Sequence, residues 1–317
     1  MSSPAPHRET GAGYSLTLEP HLAAMTSIHL GGPALAHLEI TGPEGFDALP
    51  EIHRRIGGAL RPFGRGTNII ASDAPLPLLL LSYAGKEISP LSDEDSLAGS
   101  ASDTALIRAE AGALLPLLVN TATAIGLEGL EGLGGIPGSV GGAVRMNAGS
   151  YGSVTGNCLY SVTVFFPDRG VVSYTADQLV SGYRSFALPE ADSPYLLISA
   201  TFALKKGNAS ALKARVREVL ATKRATQPVA DSSAGCVFKN PPPMADGPGL
   251  PTGKLMELSG FKGYQLGGMA FSAMHANFLV NQGTGTAAAA HDLMGQAKAK
   301  VLQDHGIALE TEVVLWP

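Results

Sequence analysis

Cysteine and tryptophan are nearly missing from this chain: two of the first, Cys158 and Cys236, and one of the second in 317 residues. Two isolated cysteines give neither a metal-ligand spacing nor a disulfide framework, so no structural metal is expected and a reducing compartment is. Charge is sparse as well, at 15% Asp, Glu, Lys and Arg with a net charge of −5, and no basic run or RNA-binding signature occurs. Nucleic acid is therefore not an expected partner. No apolar run approaches the roughly 20 residues that span a bilayer. The opening MSSPAPHRETGAGYS lacks the apolar centre of a secretory signal and reads as a disordered tail. A cytoplasmic protein without a membrane partner is expected. A GxxxxGK[ST] phosphate loop is absent, and so is the three-glycine dinucleotide fingerprint.

What the chain has instead is glycine. Gly126 to Gly152 reads GLEGLEGLGGIPGSVGGAVRMNAGSYG, ten glycines in 27 residues. Glycine costs backbone entropy on folding, so such a density points to backbone that must lie close to something. Exposed N–H groups in a loop of this kind form a concave nest for an anion such as phosphate. A glycine-rich turn or linker is the plain alternative, but Ile136, Val140 and Val144 break up a linker composition and Pro137 stiffens it. A second, shorter glycine element lies upstream in Arg61-Pro-Phe-Gly64-Arg65-Gly66-Thr67-Asn68-Ile-Ile70. Alone, Gly64-x-Gly66 reads as a hairpin turn. Two glycine loops in one domain suggest two sides of one pyrophosphate.

Hydrophobic content of 45% over this length suits a globular protein of two domains, or three small ones. Residues 36–40 read as a strand, 48–56 as a short helix, 113–125 as a helix with Pro116 in its first turn, and 161–166 and 194–204 as strands. Short strands with no βαβ rhythm make the region α+β. A boundary is expected near Lys205-Lys206-Gly207-Asn208, followed by a basic amphipathic helix over 209–224 whose charges read as a solvated face. Lys254 to Leu258 reads as helical, and 265–280 as a short hairpin. Thr284 or Thr286 can cap a helix running to about Gln303, closed by Gly306. Residues 307–316 alternate as a strand, with Glu310 and Glu312 on one face. Periodicity does not say which of the two, if either, is functional.

Taken together, these residues resemble the flavin-dependent UDP-N-acetylenolpyruvoylglucosamine reductases (UDP-N-acetylmuramate dehydrogenases), in their shorter variety. The resemblance runs from about Thr26 to Val313. Its markers are Gly31-Gly-Pro-Ala34, Gly64-Arg-Gly-Thr-Asn68, Gly135-Ile-Pro-Gly-Ser-Val-Gly-Gly142, Met146-Asn-Ala-Gly149 and Gly182-Tyr-Arg-Ser185. Downstream come Ala234-Gly-Cys-Val-Phe-Lys-Asn-Pro241, Lys254-Leu-Met-Glu257, Gly260-Phe-Lys-Gly263, His275-Ala-Asn-Phe278 and Leu309-Glu-Thr-Glu-Val313. Many motifs in one order make the match specific where each alone would not be.

The resemblance implies an α+β fold: an FAD-binding region of the vanillyl-alcohol-oxidase type with two α/β subdomains, plus a smaller α+β substrate-binding domain. It divides the chain into a tail over 1–14, an FAD-binding region over 15–206, a substrate domain over 207–306, and a terminal strand over 307–317 carrying a catalytic glutamate. FAD is the implied cofactor, NADPH the hydride donor, and a UDP-sugar the small-molecule partner. The role implied is in peptidoglycan precursor synthesis, hence in cell-wall biogenesis, shape and division, by a monomer. The implied FAD contacts are Gly64, Arg65, Gly66, Thr67, Asn68, Gly135, Ile136, Pro137, Gly138, Ser139, Gly141, Gly142, Asn147, Ala148 and Gly149.

The implied catalytic set is Arg184, Cys236 and Glu312, and the resemblance selects Glu312 over Glu310. Hydride addition to an enol ether that carries a carboxylate builds enolate charge, which a permanent cation such as Arg184 can face. An acid must then protonate the neighbouring carbon. The family usually has serine there; this chain has Cys236, and a thiol of ordinary pKa about 8.5 can donate, at the cost of sensitivity to oxidation. Tyr183, Lys239, Asn240, Lys254 and Lys262 are implied contacts for the UDP-sugar, while His275 is expected to support a turn. The chain departs from the pattern at Val314 and Met274, where basic residues are common. The rival reactions are an FAD-linked oxidation of a small alcohol or sugar by oxygen, and nucleotide binding without turnover.

Overall fold

The computed structural model describes residues 7–91, 103–189, 193–242 and 249–317. Its chain forms two compact units that interleave in sequence. The first gathers the chain up to Glu19, Leu35–Gly64 and Pro77–Thr222; the second gathers Pro20–Ala34, Arg65–Leu76 and Lys223–Pro317.

Among the described residues, the first unit holds two larger sheets and two cores. One sheet is five-stranded, in the order Arg8–Gly11, Tyr14–Leu18, Ala34–Ile40, Leu76–Tyr83, Ala59–Pro62. The run LPLLLLSY forms its best-buried strand, as expected of a strand covered on both faces. Helix α1 (Pro43–Ile56) presents Gly45, Leu49 and Ile52, spaced by four and three, to this core, beside Leu38, Ile40, Leu79 and Phe165. The other sheet is six-stranded, with the apolar Leu196–Lys206 at its centre between Leu159–Phe166 and Thr104–Glu110. Against it pack α2 (Leu115–Ala124), with Pro116 in the first turn, and the short α3 (Val140–Arg145). Helix α4 (Ala209–Thr226) starts on an Asn208 cap, whose Oδ1 accepts from the Ser210 and Ala211 N–H groups.

In the second unit, α5 (Thr252–Leu258) and α6 (Ala287–His305) accompany an antiparallel four-stranded sheet ordered Ser233–Cys236, Phe278–Asn281, Met269–Phe271, Gln265–Leu266. A short parallel pair, Ile69–Ala71 with Val314–Trp316, ties the terminal strand to the segment after the first glycine loop. Thr286 caps α6 by accepting from the Ala289 N–H, and Gly306 closes it in the left-handed region at φ 69°. Ala290, Leu293, Ala297 and Val301 form the buried stripe of α6.

Three expectations change. The expected tail over 1–14 is structured from Arg8, whose strand pairs with Tyr14–Leu18 and whose side chain donates to Ser15 Oγ at 2.7 Å; residues 1–6 lie outside the described part. The units part within α4, at Thr222/Lys223, rather than near Gly207, because Val216 and Leu220 pack into the core of the first unit. Residues 265–280 hold the expected short hairpin, Gln265–Leu266 against Met269–Phe271, and Phe278–Asn281 adds a third antiparallel strand. The regular strand expected over 307–316 is confined to Val314–Trp316, because the chain bulges at Glu312.

Candidate active site

In the first unit Gly64 lies against the second glycine loop. A Cβ at Gly64 would stand 3.1 Å from Ser139 Oγ, and Gly138 holds φ 126°, a conformation that side chains resist. The loop runs beside residues 111–115: Leu115 N donates to the Gly138 carbonyl, Val140 N to Ala113 O and Gly141 N to Ala111 O, at 3.1, 2.8 and 2.9 Å. Ser139 caps α3, accepting from Gly142 N at 3.2 Å. The N–H groups of Val140, Gly141 and Gly142 are thus spent inside the protein, and the glycines at 141 and 142 contribute bareness instead of donors. A Cβ at Gly141 would come within 3.0 Å of Ala111 Cβ. Backbone held this bare leaves room for a group as large as the diphosphate of FAD to come close.

Asn147 is buried and left-handed at φ 41°. Its Oδ1 accepts from Gly156 N at 2.8 Å and its Nδ2 donates to Gly182 O at 2.7 Å. Gly182 ends one arm of the hairpin Val180–Gly182/Ser185–Ala187, whose two-residue turn is Tyr183-Arg184. Arg145 pins the other arm by donating to Phe186 O at 3.1 Å. Arg184 sits at φ 55° with its guanidinium 5.3 Å from the Tyr183 ring centre, and its Nη1 is 3.1 Å from where a Cβ at Gly149 would be. The arginine therefore extends over Gly149. Glu131 takes the Gly129 N–H on both carboxylate oxygens at 3.0 Å and stays buried, a support that the spacing of the glycines did not reveal.

Cys236 and Glu312 belong to the second unit, on paired segments. Phe238 bridges Thr311. Lys239 N donates to Glu310 O at 2.9 Å, and the Val237 carbonyl accepts from both Glu312 N at 2.8 Å and Val313 N at 3.4 Å. Two residues thus oppose one, a bulge that turns Glu312 out of simple alternation. Asn68 holds Glu312 from the far side: Nδ2 donates to Glu312 O at 3.3 Å while the Asn68 carbonyl accepts from Val314 N at 2.9 Å. Ser27 Oγ donates to Ser233 O at 2.6 Å and its N–H to Gly66 O at 3.1 Å, so Ser27 links the first glycine loop to the cysteine strand. At Gly66, with φ 63°, a Cβ would be 2.9 Å from Thr26 Cα.

Glu310 is an exposed partner of Lys239 Nζ at 3.3 Å, whereas Glu312 is half-buried. Asn240 Oδ1 accepts from Thr252 N at 3.0 Å. Lys254 and Lys262 converge on Glu257, at 3.6 and 3.3 Å, and the Lys262 hydrogen bond and both lysine charges hold its carboxyl below the ordinary range. His275 Nδ1 accepts from Asn277 N at 3.2 Å, and burial lowers the imidazole pKa, so the neutral ring organises a turn. Burial pushes the Cys158 thiol up to about 11, aided by the Glu131 charge. Among the described residues, no group of three His, Cys, Asp or Glu could hold a metal, and no helix is long and apolar enough to cross a membrane.

Comparison with known proteins agrees with this anatomy. The FAD binding domain family matches residues 51–174, which include the second glycine loop. The fold and the loops define an α+β flavoprotein. The C-terminal domain of UDP-N-acetylenolpyruvoylglucosamine reductase matches residues 227–316, which carry Cys236 and Glu312. The reductase of that name from Oleidesulfovibrio alaskensis is 43% identical over 298 residues, 94% of this chain and 97% of that protein. The one from Nitratidesulfovibrio vulgaris is 40% identical over 299 residues, again 94% and 97%. The crystal structure of UDP-N-acetylenolpyruvylglucosamine reductase from Thermus caldophilus superposes with a TM-score of 0.73 at 30% identity, covering 94% of this chain and 98% of that one. The chain belongs to the UDP-N-acetylenolpyruvoylglucosamine reductase family.

Proposed function

We propose that the protein reduces UDP-N-acetylenolpyruvoylglucosamine to UDP-N-acetylmuramate, with NADPH as reductant, in peptidoglycan precursor synthesis. The observation that carries the reading is the shared anchor of Cys236 and Glu312: the Val237 carbonyl, next to the thiol-bearing residue, accepts from Glu312 N. An acid and a carboxylate on adjoining backbone suit a reaction that needs a proton at one carbon and a hydrogen bond to a developing enolate. When bound, FAD supplies the two-electron chemistry, taking hydride from NADPH and giving it to the enolpyruvyl methylene.

The chain's own residues do the rest. Arg184 faces the substrate carboxylate as charge accumulates there, a permanent cation on a hairpin pinned at both arms. Cys236 gives its proton to the carbon next to the carboxylate and regains one from solvent. Glu312 orients the carboxylate end of the substrate. Lys239, Asn240, Lys254 and Lys262, with Tyr183, serve the UDP-sugar; the two lysines paired to the exposed Glu257 are available for exchange to a diphosphate, since such surface pairs are weak. Of the FAD contacts, Gly64 to Asn68 and Gly135 to Ser139 take the diphosphate. We place the enzyme in the cytoplasm as a monomer.

Turnover in D2O tests the assignment of hydride and proton. Deuterium should enter the new lactyl group at the carbon bearing the carboxylate; ordinary hydrogen retained there would refute it.

A further inference from the structure

We infer that Asn277 is a positioning residue for the reaction, acting through Phe238 to fix Cys236 and Glu312 together; this rests on the roles proposed for those two residues. The strand Ser233–Cys236 loses its ladder at Cys236, opposite Phe278. From there a side chain takes over. Asn277 is 2% exposed; its Nδ2 donates to Phe238 O at 2.8 Å and its Oδ1 accepts from Phe238 N at 3.0 Å. Only one orientation of the amide satisfies both bonds. Its own carbonyl accepts from Val237 N at 2.8 Å. One amide thus stands in for the missing backbone partner and serves both polar groups of a fully buried residue.

Phe238 lies two residues after Cys236 and bridges Thr311, the residue before Glu312. A shift of the Phe238 backbone is transmitted to both. Asn277 is itself held, since its N–H donates to His275 Nδ1 and the rings of His275 and Phe278 meet edge to face at 5.0 Å. Deep burial keeps water from replacing the lost bonds. Proton delivery is sensitive to displacement: about 1 Å can cost on the order of 100-fold in rate. NADPH oxidation uses neither the thiol nor the carboxylate in the proposed scheme, so only the second half-reaction should depend on Asn277.

The test is Asn277→Asp, with Asn277→Ala beside it, in the flavin-loaded enzyme under anaerobic conditions. For Asn277→Asp near pH 8, bleaching of the flavin by NADPH should stay within about twofold, while reoxidation by the enolpyruvyl nucleotide falls on the order of 100-fold in its limiting rate. Lowering the pH should restore Asn277→Asp but not Asn277→Ala, because a neutral carboxyl can donate to Phe238 O and accept from Phe238 N as the amide does. Adding Asn277→Asp to Cys236→Ala should cost little more than Cys236→Ala alone, as expected of residues acting through one step. The inference is overturned if both half-reactions fall in proportion to folded enzyme, if low pH gives no rescue, or if both variants fail to fold. A wild-type enzyme that the enolpyruvyl nucleotide does not reoxidise would instead refute the reaction itself.

Discussion

The Asn147 side chain donates to the Gly182 carbonyl at 2.7 Å, which joins the second glycine loop to the hairpin that carries Arg184. A residue of the second glycine loop thereby holds the hairpin that carries the guanidinium. Asn147→Ala strips the partner from Gly156 N and from Gly182 O and places a Cβ residue without local hydrogen bonding at φ 41°. The expected loss of stability is about 3 kcal/mol, read from the denaturation midpoint. Asn147→Gly should recover about 1 kcal/mol of it by relieving the backbone alone. Both should slow substrate-dependent flavin reoxidation, because the Arg184 hairpin is freed in each.

Cys236→Ala should leave reduction by NADPH nearly intact and slow the second half-reaction by on the order of 100-fold or more, since general acid catalysis is worth that much. Cys236→Ser should remain active, the hydroxyl being the group usual at this place in the family. Rapid-mixing absorbance of each half-reaction separates the two. Normal turnover by the alanine variant would move the proton source elsewhere.

The two thiols should also differ in reactivity. With its pKa pushed up to about 11 and its Sγ 3.7 Å from the Gly129 carbonyl, Cys158 is almost wholly protonated at pH 8. Alkylation by iodoacetamide, followed by peptide mass spectrometry, should mark Cys236 well before Cys158, and the substrate should protect Cys236.

Gly138→Ala tests the glycine cradle. At φ 126° an added Cβ strains the backbone by roughly 1–3 kcal/mol, one residue before Ser139. Gly170→Ala is the control, a left-handed glycine at φ 77° with nothing within 4 Å of its missing Cβ. Both variants should lose stability. Only the first should emerge from gel filtration with less FAD.

Lys223 gives a pH signature. It shares the buried face of α4 with Leu212, Val216 and Val219, and burial lowers its pKa to about 8 from 10.5. Between those values the unfolded chain binds the extra proton, so stability should rise as pH climbs from 8 towards 10.5. Lys223→Met keeps the stem and removes the charge. It should lack that rise.

Much of the site was legible because its chemistry is local. The glycine loops, the Tyr183-Arg184 pair, the Cys236 segment and the cap and stop of α6 are each contained in a few consecutive residues. The rest depends on partners far along the chain. Residues 20–34 and 65–76 join the C-terminal unit, and no local pattern marks that transfer. Arg8–Gly11 is a polar tetrapeptide that becomes a strand only because Tyr14–Leu18 lies beside it. The terminal alternation breaks at Glu312 because the Val237 carbonyl receives two N–H groups, and Asn147 and Asn277 read as ordinary motif letters until their amides meet Gly182 and Phe238.

The central claim is a two-electron relay that ends on an enolpyruvyl nucleotide. Anaerobic rapid-mixing absorbance of the purified, FAD-loaded protein tests it most directly. NADPH should bleach the flavin bands, and UDP-N-acetylenolpyruvoylglucosamine should restore them faster than oxygen does. A flavin that oxygen reoxidises rapidly and the nucleotide leaves reduced would contradict the account and favour an oxidase.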